Sequence, residues 1–206
     1  MNKIGRVTSA SVHKGTGRDW GEWLGILNRV GAKSWTHQEI VAFLKKKYKL
    51  SPWWQQGVTL GFELATGRRQ EGQSLKGDYS LTATKSMSIT VEKLWRFVTS
   101  REGTQVWLKP LSPFSLRVGA EYECEGGIFG RVRTLKAPER VRLSWQDTDW
   151  PKPTIMAVML IPRPGGKAVF VIQHDGFTSP ALRETMRLHW KTAIAELAAA
   201  MLEVAR

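Results

Sequence analysis

Glu121, Glu123 and Glu125 alternate with Ala120, Tyr122 and Cys124, so in an extended segment the three carboxylates share one face. Carboxylates arranged in this way supply acid–base pairs or bind a cation. They also pair across a sheet with arginines, and Arg131, Arg133, Arg140 and Arg142 lie on the next two predicted strands. Carboxylates are seldom fully buried without partners, which favours the exposed, paired reading. His174 and Asp175 close another predicted strand and His189 falls in the last predicted helix, so one reading is a histidine–carboxylate pair for general acid–base work. The other is a turn-forming HDG and a histidine on a helix surface. Cys124 is the only cysteine, which rules out an internal disulfide and a cysteine-rich zinc site, and no cationic neighbour marks its thiol as reactive. There is no HExxH, P-loop, GxSxG or dinucleotide fingerprint; GTGRD at 15–19 lacks the preceding strand and the spacing. The sequence therefore assigns no catalytic residue, no metal site and no cofactor.

The formal net charge is +13 over 206 residues, and residues 1–70 carry +8 of it. Lys45, Lys46, Lys47 and Lys49, with Arg68 and Arg69, form the densest basic set. They contact the phosphates of a nucleic acid or an acidic protein, or they solvate one end of a helix. The longest apolar stretch, 155–161, is strand length, well short of the roughly 18 residues that span a bilayer, so no membrane span is expected. The N-terminus has basic residues but no apolar segment of signal type, and a cytoplasmic location is expected.

The elements that position these residues fall into two groups. Asp19 with Glu22 and Thr36 with Glu39 have the spacing of capping boxes, and Ser51 before Pro52 marks a third helix start. Gly31 and Gly67 supply stops, giving helices near 20–30, 36–48 and 52–66. Trp20, Trp23, Leu27, Ile40, Phe43, Leu44, Trp53, Val58 and Phe62 are the candidate core of this Trp-rich three-helix domain, residues 1–70. The polar, glycine-rich stretch at 71–77 reads as a linker. After it the period drops to two: strands are predicted from Tyr79 through Ala83 and near 120–125, 127–136, 140–145, 154–162 and 167–175. Gly126–Gly127 and the PGG at 164–166 turn two hairpins, so most of the sheet is an antiparallel meander. Two short helices beginning after Thr90 and Ser100 separate the first two strands. In the final helix Leu182, Met186, Trp190, Ile194, Leu197, Met201 and Val204 make a single apolar stripe that must face the sheet. The order β-α-α-β-β-β-β-β-α defines an α+β helix-grip fold for residues 78–206, a curved antiparallel sheet wrapped around a long C-terminal helix.

Four segments, ITVEKLWRFVTSREGTQVWL, EYECEGG, the turn at HDGF and LHWKTAIAEL, occur in the order seen in one group of proteins. Through them the chain resembles the START-like, or SRPBCC, superfamily, and within it the group named after the C-terminal domain of the Hsp90 ATPase activator. WTHQEIV and SPWWQQGVT make the N-terminal segment similar to a small bacterial helical domain of unknown function, the DUF4287 type. The first resemblance implies a fold that binds lipids, polyketides or other hydrophobic molecules, with some members acting as cyclases or hydrolases and others as protein partners. No segment matches the separate N-terminal docking domain of the activator.

A cavity between the final helix and the curved sheet would be lined from the dry faces by Trp107, Phe114, Tyr122, Phe129, Trp145, Met156, Phe170, Ile172, Met186 and Trp190. The expected function is noncatalytic binding of a small hydrophobic molecule there, with the basic helical domain as a contact surface. The alternatives are a cyclase or hydrolase, a regulator binding nucleic acid through the N-terminal helices, and a co-chaperone-like interaction module.

Overall fold

The computed structural model describes the backbone of residues 2–204 and the side chains of residues 2–201. Val204, the last position of the predicted stripe, therefore lies outside the described side chains. The chain divides into two compact units, the first ending at Glu71 and the second beginning at Gly72.

The first unit opens with a small hairpin, β1 (Lys3–Ile4) and β2 (Val7–Thr8), followed by α1 (Ser9–Thr16). This helix is a fourth, added to the three that the sequence predicts. Thr8 caps it by accepting from Ser11 N, and Gly17 ends it in the left-handed conformation, but only Val12 is buried, so it has no apolar period to read. The other helices are α2 (Trp20–Arg29), α3 (His37–Tyr48) and α4 (Pro52–Ala65). Both capping boxes form: Asp19 with Glu22, and Thr36 with Glu39. Ser51 makes no side-chain cap, and α4 starts on Pro52 alone.

Trp20, Trp23, Leu27, Ile40, Leu44, Val58 and Phe62 are buried together, and Phe43 packs at their edge. The indole N–H groups are used: Trp20 Nε1 donates to Val7 O at 3.0 Å and Trp23 Nε1 to Thr16 Oγ1 at 2.8 Å. Gly61 is a close-approach position, since a Cβ there would lie 2.3 Å from the Trp20 ring. Trp53 departs from the expected core, being 63% exposed. At the first turn of α4 it is Trp54 that turns inward, its ring lying where Gly15 would otherwise carry a Cβ.

The second unit begins with β3 (Tyr79–Met87), α5 (Val91–Thr99) and α6 (Arg101–Trp107). Ser80 N donates to Gly72 O at 2.7 Å and Gln73 bridges Tyr79, so the polar stretch before Asp78 is already paired to β3. Thr90 caps α5; Ser100 ends α5 and caps α6 at once. Then come β4 (Glu121–Cys124), β5 (Ile128–Lys136), β6 (Arg140–Asp147), β7 (Thr154–Arg163), β8 (Lys167–Phe177) and α7 (Pro180–Val204). The sheet order is β3-β8-β7-β6-β5-β4, all antiparallel, with register irregularities at Tyr79/Ser80 and Val132/Thr134 that help it curve. The inner face carries Tyr122, Val132, Leu143, Trp145, Met156, Val158, Phe170 and Ile172, and the α7 stripe of Met186, Trp190, Ile194, Leu197 and Met201 packs into the same core. Arg183 Nε ties α7 to the β3 edge by donating to Ser80 O at 2.8 Å.

Candidate functional site

Of the ten residues expected to line a cavity, Trp107, Tyr122, Trp145, Met156, Phe170, Ile172, Met186 and Trp190 are buried in one core. Phe114 is half-buried, its ring 5.9 Å from that of Tyr122. Phe129 does not join them. The dry positions of β5 are Ile128, Gly130 and Val132, and Phe129 stands on the opposite face, 44% exposed. Gly130 makes room for the Tyr122 ring, whose hydroxyl donates to Ser144 O at 2.7 Å; a Cβ on Gly130 would lie 2.0 Å from that same oxygen.

Trp145 is the centre of this aromatic interior. Its ring lies 5.0 Å from Trp190, 5.8 Å from His174, 5.9 Å from His189 and 6.2 Å from Tyr122. His174 is wholly buried and its tautomer follows from its partners. Trp190 Nε1 can only donate, and it donates to His174 Nδ1 at 3.0 Å, so the ring proton sits on Nε2. Nε2 then donates to Thr154 Oγ1 at 2.7 Å, and the Thr154 hydroxyl donates to Trp145 O at 2.9 Å. Burial, reinforced by nearby His189, pushes the His174 pKa down to about 3, so the imidazole is neutral at ordinary pH. The other polar group here has no such chain: the Trp145 indole N–H is buried with no hydrogen-bond partner among the described residues.

The residues considered for catalysis are dispersed. Glu121 is exposed and pairs with Arg131, its cross-strand partner, while Glu123 and Glu125 are exposed. Asp175 projects from the opposite face to His174, takes a hydrogen bond from Gln173 Nε2 at 2.9 Å, and is shifted upward by burial. His189 sits at the surface against Trp145 and Trp190, held below the usual histidine value by partial burial and by Lys109. The histidine–carboxylate pair is thus not assembled; the partner of His174 is Thr154, and both its ring nitrogens are engaged. Cys124 is buried, donates its thiol to Leu108 O at 3.0 Å, and burial pushes its pKa up to about 12, which leaves it without nucleophilic thiolate. No group of three or more His, Cys, Asp or Glu among the described residues could hold a metal ion.

In the first unit Lys45, Lys46, Lys47 and Lys49 are exposed around the end of α3. Arg68 is exposed and Arg69 half-buried, and both are engaged within the unit. Arg68 donates to Ala32 O at 3.2 Å and Trp35 O at 2.6 Å, and Arg69 reaches the buried Glu63 at 3.0 Å. Glu63 also contacts His37 Nδ1 at 3.0 Å. The Glu63 cluster and Thr154 were not legible as chemistry, because each is a single polar residue within an ordinary helix or strand pattern.

Residues 88–202 match the family described as Activator of Hsp90 ATPase homolog 1-like protein. The match lies within the second unit and leaves the first outside it. Among solved structures, CalU16 from Micromonospora echinospora aligns with a TM-score of 0.54 and 18% identity, over 63% of this chain and 78% of its own. Protein MLL2253 from Mesorhizobium loti aligns with a TM-score of 0.52 and 19% identity, over 60% of this chain and 97% of its own. Likeness at these identities is a likeness of fold. No curated protein matches the sequence, and no described helix is long and apolar enough to cross a membrane.

Proposed function

Because the chain belongs to the Activator of Hsp90 ATPase homolog 1-like family, we propose that its second unit binds a small hydrophobic molecule between α7 and the sheet, recognised through one acceptor atom. The supporting observation is the Trp145 indole N–H, a buried donor without a partner among aromatic rings. A buried donor left unpaired costs about 1–3 kcal/mol, and a ligand carbonyl or ether placed there removes that cost. Entry would pass the loop at 109–120. It is pinned at its ends by Leu111 N to Glu123 O at 2.8 Å and Gly119 N to Val132 O at 2.9 Å, and between them by Phe114 resting on Tyr122. Exposed Lys45, Lys46, Lys47 and Lys49 then serve as a separate, salt-sensitive contact for an acidic partner.

Thermal unfolding with an aryl ketone and with the matching hydrocarbon tests the reading. The ketone should raise the melting temperature more, and Trp145→Phe should abolish the difference while leaving hydrocarbon binding in place. Met156→Gln should weaken both. A ligand at a hundred times its dissociation constant stabilises by about 2.7 kcal/mol, well within detection. The mutual contact of the interior rings favours a second reading, a protein-interaction module with a filled core. That reading prevails if neither compound shifts the unfolding of the parent protein and native mass spectrometry of protein from its own host shows no bound molecule.

A further inference from the structure

At the end of the second unit where the β7–β8 turn lies, a concavity opens, of about 740 Å³, lined by Ile89, Lys93, Arg96, Phe97 and Met201 together with the hydroxyl residues Ser88, Thr90 and Ser100. Sheet register builds it: Ala168 pairs with Met87, which brings the turn at Gly166 against the segment 88–90 from which α5 starts. Its volume lies in the range of small-molecule sites, and its chemistry is divided. Ile89, Phe97 and Met201 supply an apolar floor, while Lys93 and Arg96, one turn apart on α5, supply two positive charges on one side.

Among the described residues no acidic side chain lines the groove, and neither Lys93 nor Arg96 has an acidic partner. The hydroxyls of Thr90 and Ser100 already accept, as helix caps, from Lys93 N and Gly103 N, and can still donate to an anionic head. None of the lining residues belongs to a strand, so the groove offers no ladder to pair a peptide backbone. A peptide laid here would bury unpaired amides, whereas a hydrocarbon tail carrying one anionic head would leave nothing unpaired. From this division we infer that the groove binds a free, medium-chain fatty carboxylate, tail on Ile89, Phe97 and Met201 and head between Lys93 and Arg96. The site is separate from the Trp145 interior and does not depend on ligand binding there.

Calorimetric titration of the full chain with decanoate, kept below its micelle concentration, is the test. Lys93→Gln combined with Arg96→Gln alters exposed side chains that have no acidic partner among the described residues, and should leave the fold intact by circular dichroism. Decanoate affinity should fall at least tenfold in that variant, fall several-fold between 50 and 500 mM salt, and be unchanged in Trp145→Phe. Decanol should bind parent and double variant alike. Equal decanoate affinity in parent and double variant would overturn the proposal, as would binding lost in Trp145→Phe, which would place the carboxylate in the interior. Binding to anionic vesicles with none to monomeric decanoate would overturn it too, identifying a membrane contact instead.

Discussion

Acid should unfold the second unit earlier than its carboxylates alone would dictate, because His174 is held neutral in the native state. Its folded pKa of about 3 lies below its unfolded value of 6.5. Between those limits the unfolded chain binds a proton that the folded chain refuses, so stability falls as pH falls. At pH 7 almost none of this cost is felt, and its slope approaches about 1.4 kcal/mol per pH unit below the unfolded value. Integrated from pH 7 to pH 5, the loss is about 2 kcal/mol. With a urea dependence of about 2 kcal/mol per molar, the unfolding midpoint moves down by about 1 M. Half-buried Asp175, whose carboxyl is raised, works in the opposite sense, since its folded form takes up a proton first. It is present in both parent and His174→Phe, so comparison of the two isolates the histidine. The variant should be less stable at pH 7, because the buried Trp190 N–H loses its acceptor, at about 1–3 kcal/mol, and Thr154 Oγ1 keeps its bond to Trp145 O but loses the one from the imidazole. Its midpoint should nevertheless be flatter than the parent's by about 1 M over the same pH interval. Parallel pH dependences in parent and variant would refute the reasoning, showing that His174 is protonated without unfolding.

Gly130→Ala should destabilise by about 3 kcal/mol in urea, because its Cβ would stand 2.0 Å from Ser144 O and 2.6 Å from the Tyr122 hydroxyl on packed neighbours. A disulfide reagent at neutral pH should leave Cys124 unmodified over hours in the native protein and label it fully in denaturant, since its thiol is buried and pushed up to about 12. A fragment beginning at Gly72 should unfold in one cooperative transition. One beginning at Asp78 should have a lower midpoint, having lost the Gly72–Ser80 and Gln73–Tyr79 pairings, and a molten Gly72 fragment would contradict the division into two units.

The element order and most boundaries could be read because local chemistry announces them. Asp19 with Glu22, Thr36 with Glu39, Thr90 and Ser100 all cap the helices that their spacing implies. The stripe from Met186 to Met201 is buried as its period requires. What escaped has no period. Helix α1 buries one residue, and β1 and β2 are two residues each, held by a tertiary pairing that no short window contains. Trp53 and Trp54 are chemically identical neighbours, and which of them turns inward is decided by Gly15, some forty positions earlier in the chain. The partners of Arg68 and Arg69 could not be read, because Ala32 O, Trp35 O and Glu63 are brought near them only by folding. At the candidate site the aromatic core was legible from alternation, but the His174–Thr154–Trp190 chain and the orphaned Trp145 N–H are facts of distance.

The pairing of β3 with β8 bears on how the protein is made. Tyr79 meets Phe177, so the first strand of the sheet waits for the last, about a hundred residues later. Ribosomes add about 5–20 residues per second, so β3 spends seconds outside the exit tunnel without its only long partner. Meanwhile β4 to β8 accumulate as successive hairpins that can form locally, and α7, which covers them, emerges only after β8. The nascent chain therefore carries an open strand edge until β8 has emerged and an uncovered apolar face until α7 has followed it. Its yield in a cell should depend more on translation speed and chaperone supply than on the stability of the finished fold.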